Sequence, residues 1–185
     1  AHFLAEKDCK SFIITSGGEL LKFIKKQKVK VFRLPVHSKN PILILFNSII
    51  ISLIILIYNI NIVHARSRAP AWSCLIATKL TVRKFVTTFH GTYNFTNAVK
   101  KFYNSIMVRS DLVIAGSNFI FSHINTNYGK FFSKRKRKLL VIFRGINTNY
   151  FYYKRVLPVK ADKFAKEYNI DRNKFIILLP GRLTY

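Results

Sequence analysis

Five short segments set small residues beside polar or cationic ones, each directly after a run of apolar and β-branched residues. They are His64-Ala65-Arg66-Ser67-Arg68, Thr88-Phe89-His90-Gly91, Ala115-Gly116-Ser117-Asn118, Phe143-Arg144-Gly145 and Leu179-Pro180-Gly181-Arg182. Arginine at such a place presents a planar fork of donors that fits a phosphate or carboxylate. A neighbouring glycine lets backbone approach a ligand closely. Ser117-Asn118 opens a helix, where free backbone N–H groups cap or face an anion. His90, followed by Gly91, is the strongest candidate for a reactive or substrate-touching side chain. Together these types point to handling of a phosphorylated or hydroxylated ligand. Each also has a bland alternative: Arg66 and Arg68 as solvated surface arginines, Ser117 as a simple cap, His64 as a satisfied core histidine.

The elements that position these segments follow from periodicity. Residues 11–16, 29–34, 60–65, 85–89, 111–115, 139–143 and 175–179 read as strands. Residues 19–28, 42–58, 71–80, 98–107, 118–128 and 162–168 read as helices, and residues 2–7 as the tail of another. Strands alternating with helices predict an α/β chain with a Rossmann-like, doubly wound parallel sheet. In such sheets ligands bind at the carboxyl ends of the strands, where the five segments lie. Residues 41–63 are long and apolar enough to admit a membrane-spanning reading. Asn47, Asn59 and Asn61 interrupt the stretch, and it divides better into a helix opened by Pro41 and a buried strand.

The texture changes after Gly145, so the expected organisation has three parts: residues 1–150 as one Rossmann-like domain, residues 151–174 as a linker with a short helix, and residues 175–185 as the first strand of a second domain. Both ends read as truncations of a longer chain. The 185 residues carry 32 Lys and Arg against 7 Asp and Glu, a net charge of +25. Such a chain is drawn to polyanions: nucleic acid, acidic lipid or phosphorylated substrates. Codon bias toward Lys, Asn and Ile accounts for some of the lysine but not for the scarcity of acids. Residues 134–138 form a dense basic run that suits a solvated loop, a nucleic-acid contact or an electrostatic foot on an anionic membrane. Cys9 and Cys74 are far apart in sequence and form no CxxC pair, which implies two reduced, partly buried thiols.

Read together, "IVHARSRAPAWS", "FVTTFHGTYN", "SDLVIAGSNFI", "VIFRGIN" and "LLPGRLT" resemble glycosyltransferase family 4, the retaining nucleotide-sugar enzymes of the GT-B fold, in their bacterial envelope-polysaccharide form. The resemblance implies that residues 1–150 form the acceptor-side domain, lacking its first strand and glycine loop. It also implies that the last residues begin the donor domain. It makes His90 a cleft histidine with a catalytic role. Gly181, Arg182, Arg144 and Gly145 would hold the donor diphosphate, and Arg66, Ser67, Arg68, Gly91, Ser117 and Asn118 would line the acceptor side or cleft. The family's next lysine and its paired glutamates would lie past Tyr185, so these residues alone are expected to be inactive.

The implied activity is transfer of a hexosyl group from a nucleotide sugar to a saccharide or lipid-linked acceptor, in lipopolysaccharide or envelope polysaccharide synthesis. The nucleotide sugar is substrate; no cofactor, no metal and no specific nucleic-acid partner are expected. The expected location is the cytoplasm, with peripheral contact to the inner face of the membrane. The alternative is a non-catalytic basic Rossmann-like module that grips nucleic acid or acidic membrane.

Overall fold

The computed structural model describes residues 1–24, 27–93, 95–133 and 138–178. The chain divides into two compact units, Ala1–Arg144 and Gly145–Tyr185. The first contains α1 (His2–Ala5), β1 (Ser11–Thr15), β2 (Val29–Arg33), α2 (Pro41–Ile57), β3 (Ile62–Ala65), α3 (Arg68–Leu80), β4 (Lys84–Phe89), α4 (Ala98–Asn104), β5 (Leu112–Ala115), α5 (Asn118–Tyr128), α6 (Lys130–Ser133) and β6 (Lys138–Val141). The second holds α7 (Pro158–Glu167).

Every strand pairing is parallel, as the α/β reading requires. The strands are divided between two sheets: β1 pairs with β2, and the larger sheet runs β3-β4-β5-β6. That order steps in one direction, so right-handed crossovers carry α3, α4 and α5 to one face. Strand alternation then makes one face dry. Ala65, Phe85, Thr87, Phe89, Val113 and Ala115 are buried against the helices. Ile106, Met107, Ile124 and Tyr128 complete that core. Phe85 and Phe89 together withdraw enough apolar surface to contribute about 3–6 kcal/mol. Val36, Ile14 and Leu34 join the same cluster, which docks the β1-β2 pair onto it. The buried Asn47 of α2 donates from Nδ2 to the Pro35 carbonyl at 3.1 Å, fixing the loop after β2.

Local chemistry explains where the elements begin and end. Pro41 occupies the first turn of α2, and the Asn40 side chain accepts from Ile42 N as its cap. Asn59, with φ 49°, closes α2 in the left-handed conformation that asparagine tolerates. At 17 residues α2 falls short of a spanning helix, and no helix among the described residues is long and apolar enough to cross a membrane.

Several expectations are corrected. Of the helix expected over 19–28, the described residues hold a single 3-10 turn, Glu19–Phe23, with Leu20 and Phe23 exposed; residues 25 and 26 lie outside them. α3 starts at Arg68 rather than residue 71, since Pro70 is harmless within a first turn. α7 starts at Pro158 rather than residue 162, for the same reason. Residues 98–107 are α4 followed by a 3-10 turn, Ser105–Val108. β6 ends at Val141, short of Phe143, where pairing with β5 runs out. Of the strand expected over 175–179, residues 175–178 are exposed and pair with no strand among the described residues, and residue 179 lies outside them. Cys74 is buried as expected, whereas Cys9 is exposed. Of the basic run 134–138, only Lys138 lies among the described residues, at the start of β6.

Candidate functional site at the strand ends

Successive strands of the larger sheet end in Arg66 (after β3), His90 (after β4), Gly116 (after β5) and Arg144 (beyond β6). Period two also puts His64 with Arg66, and Thr88 with His90, on the sheet face opposite the core. There His64 Nε2 and Thr88 Oγ1 lie 2.7 Å apart across the β3-β4 ladder. His64 is thus satisfied as expected, but at an exposed position rather than in the core. Its neighbour Ala65, not His64, points into the core.

His90 is gripped from both sides. Arg66 Nε donates to His90 Nε2 at 3.2 Å, and Arg144 Nη2 lies 2.6 Å from His90 Nδ1. Arg144 Nη2 also donates to the His90 carbonyl at 3.2 Å. A neutral imidazole has one N–H and one lone pair, so it accepts at a single nitrogen. Either tautomer leaves one guanidinium without a ring acceptor. With Nδ1 protonated, Nε2 accepts from Arg66 and Arg144 turns to the carbonyl. Neither arginine forms an ion pair with a carboxylate among the described residues. The cluster is therefore two cations on a neutral ring, with unused donor capacity and no counter-charge: an anion or a hydroxyl-rich ligand satisfies it.

The electrostatics agree. Burial, and then the Arg66 and Arg144 charges with His64, push the His90 pKa below the usual histidine range. Partial desolvation of its ring, and then Arg66, do the same to His64, although the residue as a whole is exposed. Both rings are held neutral, in the state that accepts a proton or a hydrogen bond.

The remaining candidates fall around this centre in different ways. Ser67 occupies the N-cap position of α3 but makes no side-chain cap bond. Arg68 is engaged by other partners than the His90 ring: its Nη1 donates to the fully buried Asn104 at 2.5 Å, and its guanidinium covers the Tyr93 ring at 4.5 Å. It thus ties α3 to α4. Ser117 accepts from Ile120 N at 3.2 Å and caps α5, leaving Asn118 exposed in the first turn. A Cβ at Gly91 would meet nothing within 4 Å, so the space beside His90 is open. Gly145 begins the second unit and is equally unhindered. Gly181 and Arg182 lie outside the described residues.

Gly116 and Thr88 fall within the segments singled out from sequence, but pattern alone gives neither a role of its own. Gly116 matters because a Cβ there would sit 3.4 Å from Arg144 Nε: the arginine crosses the end of β5 over this glycine to reach His90. The glycine between Ala115 and Ser117, at a strand end, was the available signal.

Comparison with known proteins gives this arrangement a context. The chain is similar in structure to a glycosyltransferase from Rickettsia africae ESF-5, with TM-score 0.76 and 42% identity, over 100% of this chain and 48% of that one. It shares its fold with Anabaena HepE, solved in complex with UDP and glucose, at TM-score 0.58 and 14% identity, over 86% of this chain and 50% of that one. The chain thus spans about half the length of these solved structures. No match is found among curated protein sequences. The pattern described as Glycosyltransferase Family 4 matches residues 1–150, the stretch that builds both sheets and carries His90, Arg66 and Arg144. Strand ends, fold and sequence pattern converge: the chain belongs to glycosyltransferase family 4.

Proposed function

We propose that the full-length protein transfers a hexosyl group, with retention, from a nucleotide sugar to a saccharide or lipid-linked acceptor in bacterial lipopolysaccharide or envelope polysaccharide synthesis. The observation that carries this reading is the neutral His90 ring held between two arginines that pair with no carboxylate among the described residues, at the carboxyl edge of a parallel sheet. In it, His90 hydrogen-bonds the acceptor hydroxyl or the transferred sugar, and its low pKa keeps it an acceptor at neutral pH. Arg144, Gly145, Gly181 and Arg182 are assigned to binding the donor diphosphate. Arg66, Ser67, Arg68, Gly91, Ser117 and Asn118 border the acceptor side. Charge on the departing nucleoside diphosphate is neutralised by these basic groups and by backbone N–H groups, without a resident cofactor. UDP and glucose bound to HepE make a UDP-sugar the first donor to try.

The test is His90→Ala in the full-length protein, assayed for sugar transfer from a panel of UDP-sugars. Turnover is expected to fall about 100-fold or more, as for loss of a positioned acid–base or hydrogen-bonding group, with stability little changed. Wild-type rates in the variant would remove His90 from the site. Absence of nucleotide-sugar binding, beside tight and steeply salt-dependent nucleic-acid binding, would overturn the transferase reading itself.

A further inference from the structure

Helix α2 is built inside out. Its polar residues Asn47, Ser48 and Ser52 are buried against the protein, together with Ile51, Ile54 and Ile55. Its outward residues are all apolar: Ile42, Leu45, Phe46, Ile49, Leu53 and Leu56 are each at least 48% exposed. At 100° per residue these six, with Ile57, fall within an arc of about 120°, and they run for about 22 Å along the axis. No charged residue occurs anywhere in the helix. A water-facing helix ordinarily shows the reverse pattern, and a continuous apolar stripe of this size marks a contact surface.

Most of the inner polar groups pair without the outer face, although Asn47 Oδ1 is buried with no partner among the described residues. Asn47 bonds the Pro35 carbonyl, Ser48 the Ile44 carbonyl at 2.6 Å and Ser52 the Ser48 carbonyl at 2.8 Å, while Ser73 of α3 reaches the Ile44 carbonyl at 3.1 Å.

The charge around the stripe identifies its occupant. From Leu20 to Ser110 the sequence has 15 Lys and Arg and no Asp or Glu. Cations stand at both ends of α2. Lys39 precedes its cap. At the other end Lys30 donates to Tyr58 Oη at 2.7 Å, and Arg83 donates to Asn59 Oδ1 at 2.9 Å. An apolar stripe bounded by cations and free of acids matches a bilayer surface, where acyl chains meet anionic headgroups. A second copy would bring the same cations against these, a like-charge meeting that association must overcome.

We infer that the outer face of α2 is a docking surface for an anionic lipid bilayer, with the helix lying in the plane of the interface. This does not depend on the sugar-transfer reading, since the measurement needs no activity.

The experiment is co-sedimentation of the full-length protein with vesicles of phosphatidylcholine alone or with ~30% phosphatidylglycerol. Partitioning is expected to be at least ~10-fold stronger to the anionic vesicles and to weaken as salt is raised. The double variant Ile49→Glu/Leu53→Glu, changing two outward side chains, is expected to lose at least ~10-fold, and Lys30→Glu/Lys39→Glu to lose most of the anionic preference while binding neutral vesicles as before. Phe119→Glu, an equally exposed apolar residue on α5, is expected to bind as wild type. Circular dichroism and thermal melting show that each variant is folded. Equal binding to both vesicle types, or wild-type binding by Ile49→Glu/Leu53→Glu, overturns the proposal. So does absence of vesicle binding, whether the protein is then a monomer or a dimer that this variant splits.

Discussion

Arg144 reaches across the end of β5 to place Nη2 2.6 Å from His90 Nδ1. The two residues are 54 positions apart, and Gly116 lies beneath the span. The reach depends on that glycine. Gly116→Ala puts a methyl 3.4 Å from a flexible side chain and is expected to be nearly silent in stability and turnover. Gly116→Leu should displace the Arg144 guanidinium. A tenfold rise in donor KM, equivalent to about 1.4 kcal/mol, with an unchanged melting temperature, is the expected signature. Equal KM values in all three proteins would detach Arg144 from donor binding.

The depressed histidines set a pH dependence. His90 and His64 titrate lower in the folded protein than in the unfolded chain. Between those two values the unfolded state binds more protons, so stability rises with pH there. It is complete above about 6.5, the ordinary histidine value, and is lost as pH falls toward the folded values. Urea titrations should therefore show lower stability at pH 5 than at pH 7.5, and His90→Gln should flatten that slope. A slope unaltered in the variant would mean that other groups carry it.

Three helices end in the same hydrogen-bonded turn. After α2, Asn59 N and Ile60 N reach back to the carbonyls of Leu56 and Ile55; after α7, Asn169 N and Ile170 N do so to Lys166 and Ala165. After α3, Val82 N and Arg83 N repeat it with Lys79 and Thr78. Each turn needs a left-handed residue, and φ is 49° at Asn59, 52° at Asn169 and 52° at Val82. Asparagine tolerates this conformation; a β-branched side chain does not. Val82 is also almost wholly exposed, so nothing is lost by replacing it. Val82→Asn should stabilise the fold by about 1 kcal/mol, read as a shift in the denaturation midpoint. A neutral or negative shift would show that the valine is unstrained.

The two thiols should differ in reactivity. Burial pushes the Cys74 pKa up to about 12, whereas Cys9 is exposed. An aromatic disulfide reagent at pH 8 is expected to label a single thiol in the native protein and both after denaturation. Two fast equivalents in the native state would mean that the core around Ala71 and Ala77 opens readily.

What could be read from sequence depended on how local its cause was. The bounds of α5 were legible because Ser117 caps it from the adjacent position, and those of α2 to within one residue because Pro41 opens it. The early start of α3 was hidden because Pro70 suggests an interruption until its place in the first turn is known. The 3-10 turn at Glu19–Phe23 was misread because helical spacing of Leu20 and Leu21 says nothing about whether a surface exists to receive them. The same division holds at the site. His90 could be picked out from its own strand and its following glycine. Its grip by Arg66 and Arg144 depends on ladder register and on side-chain reach across a neighbouring strand, which no local pattern encodes.

The order of the larger sheet has a consequence for how the chain acquires it. Its ladders join Ile62 to Lys84, Val86 to Leu112 and Leu112 to Lys138, partners 22, 26 and 26 residues apart. Each strand thus docks on the one made just before it, after a short helical connection. No late strand must insert between two already paired within this sheet. Loop closure is short at every step, which favours rapid folding. The β3–β6 sheet is suited to assembling in the order of synthesis, each strand finding its neighbour already in place as it emerges.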